Sequence, residues 1–331
     1  MEEHGHLIRT LWVLFVEAIL IIGLPKPGRP AEQLIFGHIL AESTAHHRHM
    51  VWAAEEIERM FEGAYTLTVV PRGQIGTTDL QVIEGFKADT AQLAYLSLGH
   101  LVEIYPQLSI GAGPFVFRNF DHWKAFRDSS VYEELIGDFE SKTGMKVLGL
   151  AYYGERHVTT KSPLANADSL KGLAIRTPSI PTIILTFRAL GSKPVPIPFK
   201  ETYQALKEGI VDAQENPLPA IKAMRFYEVT PVINLTAHIS DAQLIVMDVK
   251  CWQAIPEEGQ AKLEKIFLEA ANRVTEDVRR EEMTLRQSFP NLGVQINSVE
   301  RKPMQEQLQP FHYKGYFPWD GNLYDRIQEL E

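Results

Sequence analysis

The chemistry available to this chain is concentrated in cations that interrupt apolar runs. Arg176 closes the segment Leu173-Ala174-Ile175 and is followed by Thr177-Pro178, so its side chain emerges at a strand end. Arg156 follows the apolar stretch 147–153 and Gly154, again where a strand reads as ending. A guanidinium offers a rigid fork of donors and keeps its charge, which suits either residue to gripping a carboxylate bidentately. The bland alternative is an ion pair with a structural Asp or Glu, and spacing alone leaves both readings open. Further on, Pro194, Pro196 and Pro198 make a stiff extended segment that holds Phe199 in place. Asn216 precedes Pro217, which biases its backbone to extended geometry and lets its amide project from a turn.

Other candidates carry less. The chain has no GxSxG, HExxH, GxGxxG or GxxxxGK[ST]. An acid–base reading of Glu155 or His157 beside Arg156 has no nucleophile, metal set or cofactor motif to accompany it, so no catalysis is expected. Cys251 is the single cysteine, which rules out a disulfide within the chain and a thiolate metal cluster. In His46-His47-Arg48-His49 only His46 and His49 could share a helix face, and the run reads as a solvated helix start rather than a metal site. Neither a metal nor a cofactor is expected.

The elements that must position these groups alternate. Residues 34–39, 65–70, 92–96 and 147–153 read as strands, and 46–61, 78–87 and 131–142 as helices, with Thr77 or Thr78 capping the second. The pattern then repeats: strands at 173–176, 211–213 and 244–247, and helices at 182–190 and 201–208 closed by Gly191 and Gly209. From Pro256 to about Phe289 runs an unusually long helical pattern with Leu263, Ile266, Phe267, Ala270, Val274 and Val278 on one stripe. Such alternation predicts a mostly parallel sheet covered by helices, and its repetition in 331 residues predicts two α/β lobes. The long helix would span roughly 45 Å and brace both. Ligand sites in this architecture lie at strand ends and between domains.

Composition narrows the partners. A hydrophobic share of 45 % and a charged share of 23 % are those of a soluble globular protein. The net charge of −9, with both signs interspersed, argues against nucleic acid and leaves any anion to a few local cations. Residues 11–24 are mostly apolar, follow Arg9 and give way to a Pro-rich stretch, the length of a signal-peptide core. Glu2, Glu3 and Glu17 are atypical of one. Residues 1–31 are read as a signal peptide or an N-terminal anchor.

Several longer runs occur in a telling order: Gly73-Gln74-Ile75-Gly76, Gly113-Pro114-Phe115-Val116-Phe117-Arg118, Tyr153-Gly154-Glu155-Arg156-His157, Lys171-Gly172-Leu173-Ala174-Ile175-Arg176-Thr177-Pro178, PIPFKETYQALKEGIVDAQENPL over 196–218, and Phe226-Tyr227-Glu228-Val229 with Thr236-Ala237-His238. From about 36 to about 285 the chain resembles the solute-binding proteins of TRAP (tripartite ATP-independent periplasmic) transporters, the DctP-like family. The resemblance implies a two-lobed α/β periplasmic-binding-protein fold (type II-like), with hinge strands and a long brace helix, closing on its ligand. It implies lobe I from 32–153 plus 242–285 and lobe II from 154–241 plus 286–331. Arg176 would make the principal bidentate contact with a substrate carboxylate, helped by Arg156 and Asn216, with Phe199 packing on the ligand. From the other lobe, His38, Thr78, Ser97 and His100 fall near positions that contact the rest of the substrate. Ser97 stands where sialic-acid-binding members carry an acid, which argues against that ligand. The implied protein is a monomeric periplasmic receptor for a small organic acid, a sugar acid or a dicarboxylate, delivering it to the membrane permease subunits. A receptor feeding a sensor would use the same lobes.

Overall fold

The computed structural model describes residues 32–331, so the apolar stretch at 11–24 and the signal or anchor expected over 1–31 lie outside the described residues. The first elements follow the expected order: β1 (Glu32–Gly37), α1 (Ala45–Met60), β2 (Tyr65–Val70), α2 (Asp79–Glu84) and β3 (Leu93–Ser97). Then come α3 (Phe120–Arg127) and α4 (Ser130–Thr143), before the 16-residue β4 (Met145–Thr160). The second half contributes β5 (Ala174–Thr177), α5 (Pro181–Ala189), β6 (Lys193–Pro196), α6 (Thr202–Glu208), β7 (Ala213–Pro217) and α7 (Leu218–Ala223). After these the 17-residue β8 (Val232–Asp248) returns, followed by α8 (Val249–Ala254) and the 32-residue α9 (Glu257–Ser288). The chain closes with β9 (Gln295–Ser298), α10 (Lys302–Leu308) and α11 (Gly321–Gln328). Among the described residues no helix is long and apolar enough to cross a membrane.

One sheet runs through the molecule in the order β2-β1-β3-β8-β4-β7-β5-β6, with β9 on β8. Its outer pairs, β1 with β2 and β3 and β5 with β6 and β7, are parallel, as the alternation predicts. Its centre is antiparallel: β4 pairs with β8 along most of their length, and each pairs antiparallel with an outer strand, β7 or β3. These two central strands are longer than the sequence reading has them. Residues 154–160 and 232–243 are rich in Glu, Arg, His, Thr, Asn and Asp, which hides a strand from a search for apolar runs. Arg156 therefore sits inside a strand rather than at its exit. The pairing slips at Tyr152/Gly154 and Arg156/Val158, bulges that re-aim side chains where the two halves of the sheet meet.

Packing separates two cores, as expected of two lobes. Phe36, Tyr95, Trp123, Phe139, Leu244 and Phe267 belong to one, and Val158, Ile175, Phe187, Ile239 and Leu308 to the other, with a satellite around Leu206, Phe226 and Phe289. The apolar stripe of α9 buries Leu263, Ile266, Phe267, Ala270, Val274 and Val278, as its spacing requires. One packing relation departs from the expected partition. Of the C-terminal residues assigned to the second lobe, Met304 and Leu308 pack there, but Phe317, Trp319, Leu323, Tyr324 and Ile327 join the first core. The amphipathic α11 is tied down there by Arg118, whose guanidinium donates to the carbonyls of Gln328 and Leu330. The helix start at 46–49 is also less solvated than its polarity suggests: His46 is buried edge-on to Tyr95 and Tyr153.

Candidate functional site

Between the cores lies a cavity of about 50 Å³ walled by both lobes. Ile39, Leu40, Asp79, Ser97 and His100 line it from one side, and Arg156, Arg176, Phe199 and Asn216 from the other, with Asp241 and Gln243 of β8 between. Ser97 and Gln243 face each other across the β3–β8 pairing, and His157 and Asn216 across β4–β7.

Arg176, on the short strand β5, is 1 % exposed and meets no carboxylate. Its Nε donates to the carbonyl of Ile197 at 2.9 Å, and the guanidinium lies 5.8 Å from the Phe199 ring centre. Its remaining N–H groups make no hydrogen bond among the described residues, so they are left to the cavity. Burial lowers its pKa to about 10, which still leaves it charged at neutral pH. A buried cation without a partner is costly unless something anionic arrives. The rigid run Pro194–Pro198 (β6 and the turn after it) explains the geometry: it brings the Ile197 carbonyl and the Phe199 ring that follows to one guanidinium.

Arg156 is in the opposite situation. Its Nε and Nη2 donate to the two carboxylate oxygens of Glu215 at 2.5 and 2.7 Å, and Nη1 donates to Asp241 at 2.7 Å. Burial disfavours its charge, but Glu215 and Asp241 outweigh that and raise its pKa. Glu215 is fully buried. Desolvation pushes its pKa up, while Arg156 and the His238 Nε2 at 3.3 Å more than reverse this, so it stays ionised. Burial holds Asp241 above the usual carboxylate range despite Arg156. Arg156 thus follows the bland alternative as far as ion pairing goes, while still forming part of the cavity wall.

Asn216 is buried in β7 with its amide oriented by neighbours: its Nδ2 donates to Gln214 Oε1 at 2.7 Å, and Gln214 donates to Thr159. The Asn216 Oδ1 lies 3.5 Å from Arg156 Nη2. On the first lobe, Asp79 is the organiser. Its Oδ2 accepts from the backbone N–H of Ser97 at 3.0 Å and lies 3.3 Å from His100 Nδ1. The Ser97 hydroxyl and the Gln243 Oε1 are both buried without a hydrogen-bond partner. Buried polar atoms of this kind can hydrogen-bond a polar group that enters the cavity.

Of the residues expected from sequence, Arg176, Arg156, Asn216, Phe199, Ser97 and His100 meet in this cavity. His38 and Thr78 do not line it. His38 is buried, with Nε2 3.0 Å from His47 Nδ1 and Nδ1 accepting from Leu40 N–H, and Thr78 caps α2 through a hydrogen bond from Gln81 N–H. Their neighbours Ile39 and Asp79 take the places, because in an extended segment or a cap adjacent side chains point apart. Tyr153, which also lines the cavity, stands inside the quoted run 153–157, whereas Asp79, Asp241 and Gln243 had no sequence signal beyond lying near the motifs. Glu215, inside the QENP run, could have been found by asking what neutralises a buried arginine.

The sequence model of the bacterial extracellular solute-binding proteins, family 7 (DctP), matches residues 36–317. The sialic acid-binding periplasmic protein SiaP of Vibrio cholerae is 26 % identical over 92 % of this chain and 94 % of its own length. The 2,3-diketo-L-gulonate-binding periplasmic protein YiaO of Escherichia coli is 27 % identical over 88 % of this chain and 90 % of its own. A TRAP periplasmic solute-binding protein of Haemophilus influenzae, solved with bound L-gulonate, superposes with a TM-score of 0.85 at 22 % identity, covering 91 % of this chain and all of that one. The two lobes, the brace helix and the sheet crossing between them are thus a known fold. The chain belongs to family 7 of the bacterial extracellular solute-binding proteins, the solute receptors of TRAP transporters.

Proposed function

We propose that this protein captures a sugar monocarboxylate in the interlobe cavity, outside the cytoplasm, and hands it unchanged to the permease subunits of a TRAP transporter. The observation that carries the reading is Arg176: a buried guanidinium with unused N–H groups at the cavity wall, which pairs with no carboxylate among the described residues. The ligand carboxylate supplies the missing charge, seated against Phe199 and Asn216, while Arg156 holds Glu215 and Asp241 in place behind it. The far wall supports hydroxyls rather than a second carboxylate. It presents the Asp79 carboxyl, the Gln243 carbonyl oxygen and the Ser97 hydroxyl with neither Lys nor Arg, so a second anion there would face Asp79. Two relatives whose names give their ligands take acids of the sugar type, which agrees with this polarity. His38 and Thr78 act behind the wall, on His47 and the α2 cap. Lobe I then comprises 32–153, 242–285 and 317–331, and lobe II the other described residues, working as a monomer without cofactor or metal.

Calorimetric titration of D-glucuronate, L-gulonate and succinate into the protein tests this. A hexuronate or hexonate should bind at least tenfold more tightly than succinate. Tighter binding of the dicarboxylate would overturn the assignment of the far wall.

A further inference from the structure

A second pocket, of about 330 Å³, opens on the opposite face of the central strands. Side chains alternate along β4, so while Arg156 faces the cleft, its neighbours Glu155 and His157 face this pocket. Three arginines converge on it from two parts of the chain: Arg279 and Arg286 from α9, and Arg301 from the segment after β9. In a chain of net charge −9 such a convergence is not the background. Arg286 is exposed and makes no hydrogen bond or ion pair among the described residues. The Nε of Arg301 is buried without a partner, while its Nη2 donates to the Ala237 carbonyl at 3.0 Å. Ala237 holds φ at +41°, an uncommon conformation for a residue with a side chain. That turn also delivers the Ala237 N–H to His157 Nδ1 at 3.1 Å, which places the imidazole proton on Nε2. Burial, then His238, Arg301 and Arg286, keep the ring neutral, with its pKa near 3.

The acids in the wall do not cancel these cations. Glu282 accepts from the Glu155 N–H at 2.6 Å and lies 3.5 Å from Arg279 Nη1. Burial pushes its pKa up to about 8, so it is largely protonated at neutral pH. That leaves three guanidinium groups against the Glu155 carboxyl.

We propose that this pocket is a second anion site, separate from the cleft, that takes a tetrahedral oxyanion of the phosphate or sulfate class. Four oxygens can serve three guanidinium groups supplied by α9 and by the segment after β9, which the two oxygens of a lone carboxylate do less well. The site joins the brace helix to the second lobe through the anion itself.

The test is thermal unfolding of the full chain in sodium phosphate, against sodium chloride at equal ionic strength. Phosphate should raise the melting temperature saturably. The effect should persist in Arg176→Lys, whose cleft is impaired, and its apparent dissociation constant should rise about tenfold or more in Arg286→Gln and in Arg301→Gln. Arg286 is exposed and unpaired, so its variant keeps the test informative if Arg301→Gln folds poorly. Glycerol phosphate in a parallel arm separates a bare-anion site, with equal affinity, from one that prefers an organic phosphate; either supports the proposal. An equal rise in chloride, no rise at all, or a phosphate effect lost in Arg176→Lys and kept in Arg286→Gln would overturn it. The last outcome would leave the cleft reading standing.

Discussion

Arg176 and Arg156 have the same side chain and the same burial, yet what surrounds each gives it a different task. Arg156 is fully compensated by Glu215 and Asp241, so removing it strands two buried carboxyls. Removing one partner of a buried pair costs about 3–5 kcal/mol, and Arg156→Ala is expected to lose roughly that much stability in urea unfolding of the ligand-free protein. Arg176 forms no ion pair among the described residues, so Arg176→Lys should leave unfolding almost unchanged. It should instead lose affinity by about tenfold to over a hundredfold, because an ammonium cannot copy a bidentate grip worth roughly 1.5–3 kcal/mol. Calorimetry and unfolding on both variants check the contrast. A stable Arg156→Ala beside an Arg176→Lys that binds within twofold of wild type would mean the two roles are exchanged.

At the scale of elements, α9 and β4 meet where the sheet passes from one lobe to the other. Gly154 takes φ +123° at the Tyr152/Gly154 bulge, and a Cβ there would lie 2.7 Å from Pro217 Cβ and 2.9 Å from Glu282 Oε1. Only glycine fits that close approach of helix and strand. Glu282 is the group the approach buries, and its folded pKa of about 8 stands above its ordinary 4.5. The neutral form therefore contributes stability that is fully present below pH 4.5 and is lost as pH rises through 8. Each pH unit in that window costs up to about 1.4 kcal/mol. Glu282→Gln keeps an oxygen to accept from Glu155 N–H and has nothing to ionise. Its unfolding free energy, measured from pH 5 to pH 8, is expected to pull ahead of wild type as pH rises. Parallel curves would show that Glu282 titrates normally.

At the scale of the molecule, a cavity of about 50 Å³ holds a few waters and not a sugar acid, so ligand enters only with the lobes apart. Contacts from both walls reach full strength when the lobes close, and that differential affinity populates the closed state. The closing surfaces touch at Gly99, where a Cβ would lie 2.4 Å from Ile180 Cγ2 and 2.9 Å from Thr182 Oγ1. Gly99→Val should wedge them. In small-angle scattering the wild type should contract on saturation with a sugar acid, whereas Gly99→Val should stay at its ligand-free radius and bind about tenfold more weakly or worse. A variant that contracts and binds normally would place the closing contact elsewhere.

Sequence by itself determined the α/β class, the two lobes, the stripe of α9 and the motifs carrying Arg176, Arg156, Phe199 and Asn216. Those features are written in local periodicity, in proline and glycine punctuation, and in runs long enough to be specific. Four things were decided only by the tertiary structure. The polar halves of β4 and β8 are strands because their polar groups are buried at the cleft and the hinge, where no hydrophobic pattern reports them. Arg156 is compensated, and Arg176 is not, because Glu215 and Asp241 arrive from strands 59 and 85 positions away in the chain. Asp79, rather than Thr78, reaches the cavity because a one-residue step at a helix cap turns the side chain to another face. The C-terminal helix belongs to the first core because Leu323, Tyr324 and Ile327 find their apolar partners there. Pairings between distant segments depend on the assembled surface, and no local pattern carries them.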